Sequence, residues 1–118
     1  HRNPVEVHDF CTSAPSNGYK ILVGAAGMAA HLAGAIKANS ILPVIGVPLD
    51  GGILTGLDSV LSTMQMPKGV PVGCLAIDGA FNAGILAASI ISNLDAKVKS
   101  NLERWRRIQT QSIKKKPK

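Results

Sequence analysis

Aromatic side chains are nearly absent from this sequence. Phe10, Tyr19, Phe81 and Trp105 are the whole complement, 3% of 118 residues. They are scattered, so they build no stacking platform for single-stranded nucleic acid. Cysteine is as scarce. Cys11 and Cys74 lie in unrelated segments without CxxC spacing, which leaves no metal-ligand cluster. Cys74 sits in an apolar run and reads as a buried thiol, which fits a reducing compartment. Long apolar runs are missing too. Every stretch approaching the roughly 18 residues of a membrane span is broken by Gly, Pro or polar residues, and no signal peptide is read. The chain does not open on Met, which reads as a processed or truncated start.

What is present is small and aliphatic. Hydrophobic residues make up 46%, almost all Ala, Val, Ile and Leu, which suits close packing of helices on a sheet. At 118 residues the chain is one domain with a real but modest core. Its net charge of +6 is unevenly placed. Residues 1–93 hold Arg2, Lys20, Lys37 and Lys68 against Glu6, Asp9, Asp50, Asp58 and Asp78. Residues 94–118 hold nine Lys/Arg against Asp95 and Glu103. The body is near neutral and the end is basic. A nucleic-acid-binding domain carries its charge on a folded face, whereas Lys114-Lys115-Lys116-Pro117-Lys118 reads as a solubilising tail. No nucleic-acid partner is expected.

Along the chain, apolar runs alternate with helical patterns. Asn3 is placed to cap a helix that opens on Pro4 and carries Glu6 in its first turn. It ends near Ser13, before the turn at Pro15-Ser16-Asn17-Gly18. Three short apolar runs read as buried strands: Lys20–Ala25, Leu42–Val47 and Val72–Ile77. Helices are expected over Met28–Asn39, over Ile53–Gln65 and from about Asn82. In the second of these, Ile53, Leu57, Val60, Leu61 and Met64 are spaced for one helical face. Leu94, Val98, Leu102, Trp105 and Ile108 mark a last, amphipathic helix. The expected division is an α/β core over 1–93, a helix over 94–110 and a disordered basic tail over 111–118. Alternation of this kind indicates parallel βαβ units with a sheet covered on both faces. A chain opening on a helix behind His1-Arg2 suggests an upstream strand that delivers it.

In open parallel sheets, ligands bind beyond the carboxyl ends of the strands. All three ends carry glycine: Gly24 to Gly27, Asp50 to Gly52, and Asp78-Gly79. Such loops let main-chain N–H groups approach a ligand, and a helix starting at Met28 offers its free N–H groups to an anion. The same loops also read as ordinary strand-to-helix turns. The dinucleotide fingerprint, the P-loop and the Gly-x-Ser-x-Gly elbow are all missing. Three histidines remain. His8 is mid-helix and reads as a surface or core-edge residue. His31, near a helix start, reads on its own as structural. His1 stands beside Arg2; imidazole suits proton transfer and guanidinium suits a phosphate, although a terminal His-Arg is also compatible with a plain chain end.

Taken together, these residues resemble a family. His1-Arg2-Asn3-Pro4 resembles the end of the Ser-Ala-His-Arg-Thr/Asn-Pro loop of the carboxyaminoimidazole ribonucleotide mutases of purine biosynthesis. Gly27-Met28-Ala29-Ala30-His31-Leu32-Ala33-Gly34 is similar to their Ala-Ala-His-Leu-Pro-Gly loop. Leu42–Pro48, Leu54–Ser62, Gln65–Val72, Asn82–Ala88 and Trp105-Arg106 follow in the family's order, over about residues 1–110. The resemblance implies a three-layer α/β/α, flavodoxin-like fold with a central parallel sheet, and a homo-octamer in the cytoplasm. It implies a small-molecule ribonucleotide substrate, with N5-carboxyaminoimidazole ribonucleotide converted to its ring-carboxylated isomer by decarboxylation and recarboxylation. No metal, ATP or organic cofactor is implied.

On that mapping His1 is the general acid/base and Arg2 helps bind the substrate phosphate. Gly27, Ala30, His31 and Leu32 line the pocket for substrate and carbon dioxide, and Leu54 and Gly56 belong to the neighbouring wall. His31 thereby turns from a structural residue into a pocket residue, and a mark of the bacterial-type mutase branch. Direct carboxylation of aminoimidazole ribonucleotide, and a non-catalytic nucleotide-binding or assembly module, are the alternatives. The departures are Ala33 in place of Pro, the glycine-rich Asp50-Gly51-Gly52, and the Lys-rich tail. The largest departure is that the family's first strand, with its Gly-Ser-x-Ser-Asp loop for phosphate and ribose, has no counterpart in these residues.

Overall fold

A computed structural model of the chain describes residues 1–113. Eight elements follow in order: α1 (Pro4–Ser13), β1 (Leu22–Gly27), α2 (Leu32–Ala38), β2 (Val44–Leu49), α3 (Leu57–Met64), β3 (Gly73–Cys74), α4 (Ala80–Ile91) and α5 (Ala96–Ser112). The strands form a parallel sheet in the order β1-β2-β3. A parallel sheet with flanking helices is what the three-layer α/β/α flavodoxin-like reading requires. The chain forms two compact units that divide within α4, one over His1–Ala83 and one from Gly84 onward.

The first unit is built on glycine and alanine. Gly24 pairs with Gly46 across β1 and β2. A Cβ on Gly24 would lie 2.9 Å from the Ala33 Cα of α2 and 3.0 Å from the Ile36 Cδ1. One on Gly46 would press on Thr63 of α3 and lie 3.3 Å from the Ala33 Cβ. Both helices therefore rest on the same sheet face, at a distance only glycine allows. Cys11, Ala14, Leu22, Ala33, Ile36 and Val44 form the buried cluster beneath α1 and α2. His8 Nδ1 meets Asn39 Oδ1 at 2.8 Å and ties α1 to the end of α2.

Several expectations need correction. β1 and β2 each begin and end two residues later than read, and β3 is only Gly73–Cys74. Pro48 lies inside β2 rather than ending it. Its ring removes a donor on the edge facing β3, and β3 pairs only with Ile45 and Gly46, so no ladder bond is lost there. The sheet is not covered on both faces throughout. Val44 to Pro48 of central β2 are buried, but Val23 of β1 is 46% exposed. α2 starts at Leu32, not Met28, and α3 at Leu57, not Ile53. α4 begins at Ala80, two residues before the expected start. The buried thiol is Cys11, whereas Cys74 is half-buried; burial raises both above the ordinary cysteine value of 9.0.

The apolar side of α3 points outward. Ile53 is 99% exposed, and Leu57, Leu61 and Met64 are exposed as well. Ser59 and Thr63 are the buried residues of this helix. Ser59 solves the polar problem locally: its Oγ donates to Leu49 O at 2.9 Å or Gly56 O at 2.8 Å.

In the second unit, Asp95 caps α5 by accepting from the Lys97 and Val98 amides at 2.8 and 3.0 Å. Leu94 therefore precedes the helix and is not part of its stripe. Val98, Leu102 and Trp105 are half-buried and Ile108 is exposed. Of the expected tail over 111–118, Gln111 and Ser112 belong to α5, and residues 114–118 lie outside the described residues.

Candidate active site

Two local structures converge at the carboxyl end of β1. The first is the start of α1. Asn3 Oδ1 accepts the Glu6 amide at 3.3 Å, its Nδ2 donates to the Glu6 carboxylate at 2.6 Å, and Pro4 opens the helix. This fixes the direction from which His1 and Arg2 arrive. The second is the turn after β1. Met28 and Ala30 take φ of 53° and 30°, unusual for side-chain-bearing residues. The Ala30 amide donates to Gly27 O at 3.0 Å and closes the turn. Ala30 is buried, and His31 follows as the cap position of α2, without a side-chain capping bond.

The result is a pair of imidazoles. The His1 and His31 rings meet edge to face, with centroids 4.4 Å apart at 61°. A cleft of about 420 Å³ opens beside them, lined by His1 and by every residue from Ala26 to Leu32. A smaller one, about 150 Å³, is lined by His1, Pro4, Val7, His31, Leu32, Ala35 and Asn39. The histidine pair and Leu32 stand between the two. Apart from the imidazoles, the walls of the larger cleft are main chain and small or aliphatic side chains. Such a space suits a small apolar species, and the two rings supply groups that give and take protons.

The chain thus brings His1, Gly27, Ala30, His31 and Leu32 into one cleft. Arg2 is exposed and lines neither of the two clefts. Leu54 is 54% exposed in the turn before α3. Gly56 is buried at φ 90°, where a Cβ would strike Ile77. Neither lines the histidine clefts. Their loop still approaches the site: a Cβ at Gly52 would lie 3.6 Å from Met28 Cγ, and on α3 the Ser62 Oγ, which donates to Asp58 O at 2.6 Å, lies 3.3 Å from Met28 O. Ala26, Met28 and Ala29 line the larger cleft and were not singled out from sequence. No local sequence signal marks them, because Met28 and Ala30 take left-handed angles that their residue types disfavour. Since α2 begins after His31, the anion site expected at a Met28 helix start is not formed.

Among the described residues, no group of three His, Cys, Asp or Glu could hold a metal ion. No described helix is long and apolar enough to cross a membrane.

Known proteins share this chain's pattern throughout. The Escherichia coli (strain K12) protein named N5-carboxyaminoimidazole ribonucleotide mutase is 44% identical over 99% of this chain and 70% of its own length. The Haemophilus influenzae protein of the same name is 46% identical over 96% of this chain and 70% of its own. The Pyrococcus abyssi protein of that name is 43% identical over 90% of this chain and 61% of its own. A family model described as AIR carboxylase matches residues 1–112. The histidine cleft therefore sits in a member of a known enzyme family: the chain belongs to the AIR carboxylase family.

Proposed function

We propose that this chain is the core of an N5-carboxyaminoimidazole ribonucleotide mutase acting in purine biosynthesis. The observation that carries the reading is the His1–His31 pair at the mouth of a small-walled cleft, in a chain whose curated relatives bear that name.

The chemistry asks little of the protein beyond this. The exocyclic N–C bond of the carbamate breaks, the nitrogen takes up a proton, and carbon dioxide is released. The ring carbon then attacks carbon dioxide, forms a C–C bond and gives up its proton. One proton is taken and one returned, so the reaction is an isomerisation. A single group that donates and then accepts is sufficient. His1 is assigned that role. Gly27, Ala30, His31 and Leu32 confine the carbon dioxide so that recapture outruns escape. Arg2 is assigned to the substrate phosphate, where a guanidinium gives paired hydrogen bonds. Leu54 and Gly56 are assigned to the neighbouring wall, supported by the approach of their loop to Met28. The reaction as written needs no metal, ATP or organic cofactor.

The same reading makes the protein a cytoplasmic homo-octamer. The outward Leu57, Leu61 and Met64 support assembly, because a row of exposed apolar side chains on one helix marks a contact surface. Residues 1–93 form the catalytic core on this reading, and the 94–110 helix and the 111–118 tail are accessory.

The test is a side-by-side assay of the full-length protein without ATP. Turnover of N5-carboxyaminoimidazole ribonucleotide, with little from aminoimidazole ribonucleotide plus carbon dioxide, is expected. The reverse preference indicates a direct carboxylase, and no turnover of either removes the enzyme reading.

A further inference from the structure

The glycine-bearing loop between β2 and α3 approaches the cleft, yet little inside the loop holds it. Gly52, Thr55 and Gly56 all lie at positive φ, and a Cβ at Gly51 would meet nothing within 4 Å. Ser59 Oγ reaches Leu49 O or Gly56 O at the base of the loop, and the turn after β3 holds its two ends. Residues 46, 48 and 50 of the second strand and its extension present their main chain toward β3. The Leu75 amide donates to Gly46 O at 3.0 Å, and the Asp78 amide donates to Pro48 O at 2.8 Å. Next along this edge comes Asp50, opposite the turn beyond β3. There the Asp50 amide donates instead to the side chain, Asp78 Oδ1, at 3.0 Å. The carboxylate stands in for a strand carbonyl and extends the ladder by one rung. Asp78 adopts φ 55° to do this, a conformation that Asp tolerates better than most residues but that still costs it. Its neighbour Ile77 packs against Gly56 at the other end of the same loop, where a Cβ would lie 2.9 Å from Ile77 Cδ1.

We infer that Asp78 is a positioning residue: with Ile77 it clamps both ends of the Asp50–Gly56 loop and so holds Gly52 against Met28, a wall of the His1–His31 cleft. The effect on turnover rests on the mutase reading; the effect on the loop does not.

Three substitutions in the full-length protein separate the contributions. Asp78→Asn keeps an oxygen acceptor and tolerates positive φ. Asp78→Gly accepts the backbone angle but removes the acceptor, and Asp78→Ala loses both. Amide hydrogen exchange over Asp50–Gly52 is expected to accelerate roughly tenfold in Asp78→Gly and Asp78→Ala, with Val47 in β2 unchanged, and to stay near wild type in Asp78→Asn. In the mutase assay, Asp78→Gly should raise KM several-fold with a smaller change in kcat, and Asp78→Asn should restore it. Wild-type exchange in Asp78→Gly, equal acceleration at Val47, or failure of Asn to rescue would each overturn the inference. Loop exchange that responds as expected in a protein without mutase turnover would uphold the clamp and sink the mutase reading instead.

Discussion

Helices α2 and α3 rest on the same face of the sheet, yet they bury opposite chemistry. α2 turns Ala33 and Ile36 inward, and its lead-in residue His31 meets His1. α3 turns Ser59 and Thr63 inward and leaves Leu57, Leu61 and Met64 outside. The difference teaches that an apolar stripe shows a helix has a face to cover, not which surface covers it. Against a strand that presents glycine, a small hydroxyl residue with a local carbonyl partner packs as well as an aliphatic one. α2 carries His31 into the cleft; α3 packs on the sheet through its hydroxyl side and leaves its apolar side exposed.

The comparison breaks most readily at Gly24. The atoms nearest an added methyl there are the main-chain Cα and N of Ala33, at 2.9 and 3.0 Å, which cannot rotate away. Gly24→Ala should cost about 2–3 kcal/mol in urea unfolding and displace α2, so that turnover falls even where the protein stays folded. A cost under about 0.5 kcal/mol would mean that the close approach of α2 is not required.

The α3 half is tested by Leu57→Gln with Leu61→Gln. If that face meets another copy, sedimentation should show smaller species while the unfolding free energy of the dissociated chain changes by less than about 1 kcal/mol. A loss of several kcal/mol with assembly intact would place the stripe in the core after all. Ser59→Ala, by contrast, should cost about 1 kcal/mol, because Leu49 O and Gly56 O lose a donor. The helix would then tolerate change at its leucines better than at its serine.

A smaller effect follows from the cysteines. Burial holds the Cys11 and Cys74 thiols above 9.0 in the folded chain. As pH rises past that value the unfolded chain loses these protons first, so their contribution to stability is complete below 9.0 and declines above it. The unfolding midpoint should fall between about pH 8.5 and 10, and fall less in a Cys11→Ala, Cys74→Ala variant.

Much of this was legible in the residues. Asn3-Pro4 announced α1 to the residue, because capping is local chemistry. The parallel α/β class followed from alternating apolar runs. The boundaries of α2 and α3 were not legible, because Met28, Ala30 and Thr55 adopt left-handed angles that their residue types disfavour, imposed by packing around them. The single-residue Asp78–Asp50 link joins positions 28 apart and leaves no periodic trace. Of the site, the family resemblance marked His1, Gly27, Ala30, His31 and Leu32, which the fold brings together, and Arg2, which lines neither cleft. The fold places Leu54 and Gly56 outside the cleft, on a loop that reaches the site through Gly52.

The central claim is that His1 moves the proton in a cleft shaped by the loop ending at His31. The most direct measurement is mutase turnover of the full-length protein carrying His1→Asn. A fall of at least about 100-fold, with the unfolding midpoint unchanged, is the predicted result. Wild-type turnover in that variant would contradict it.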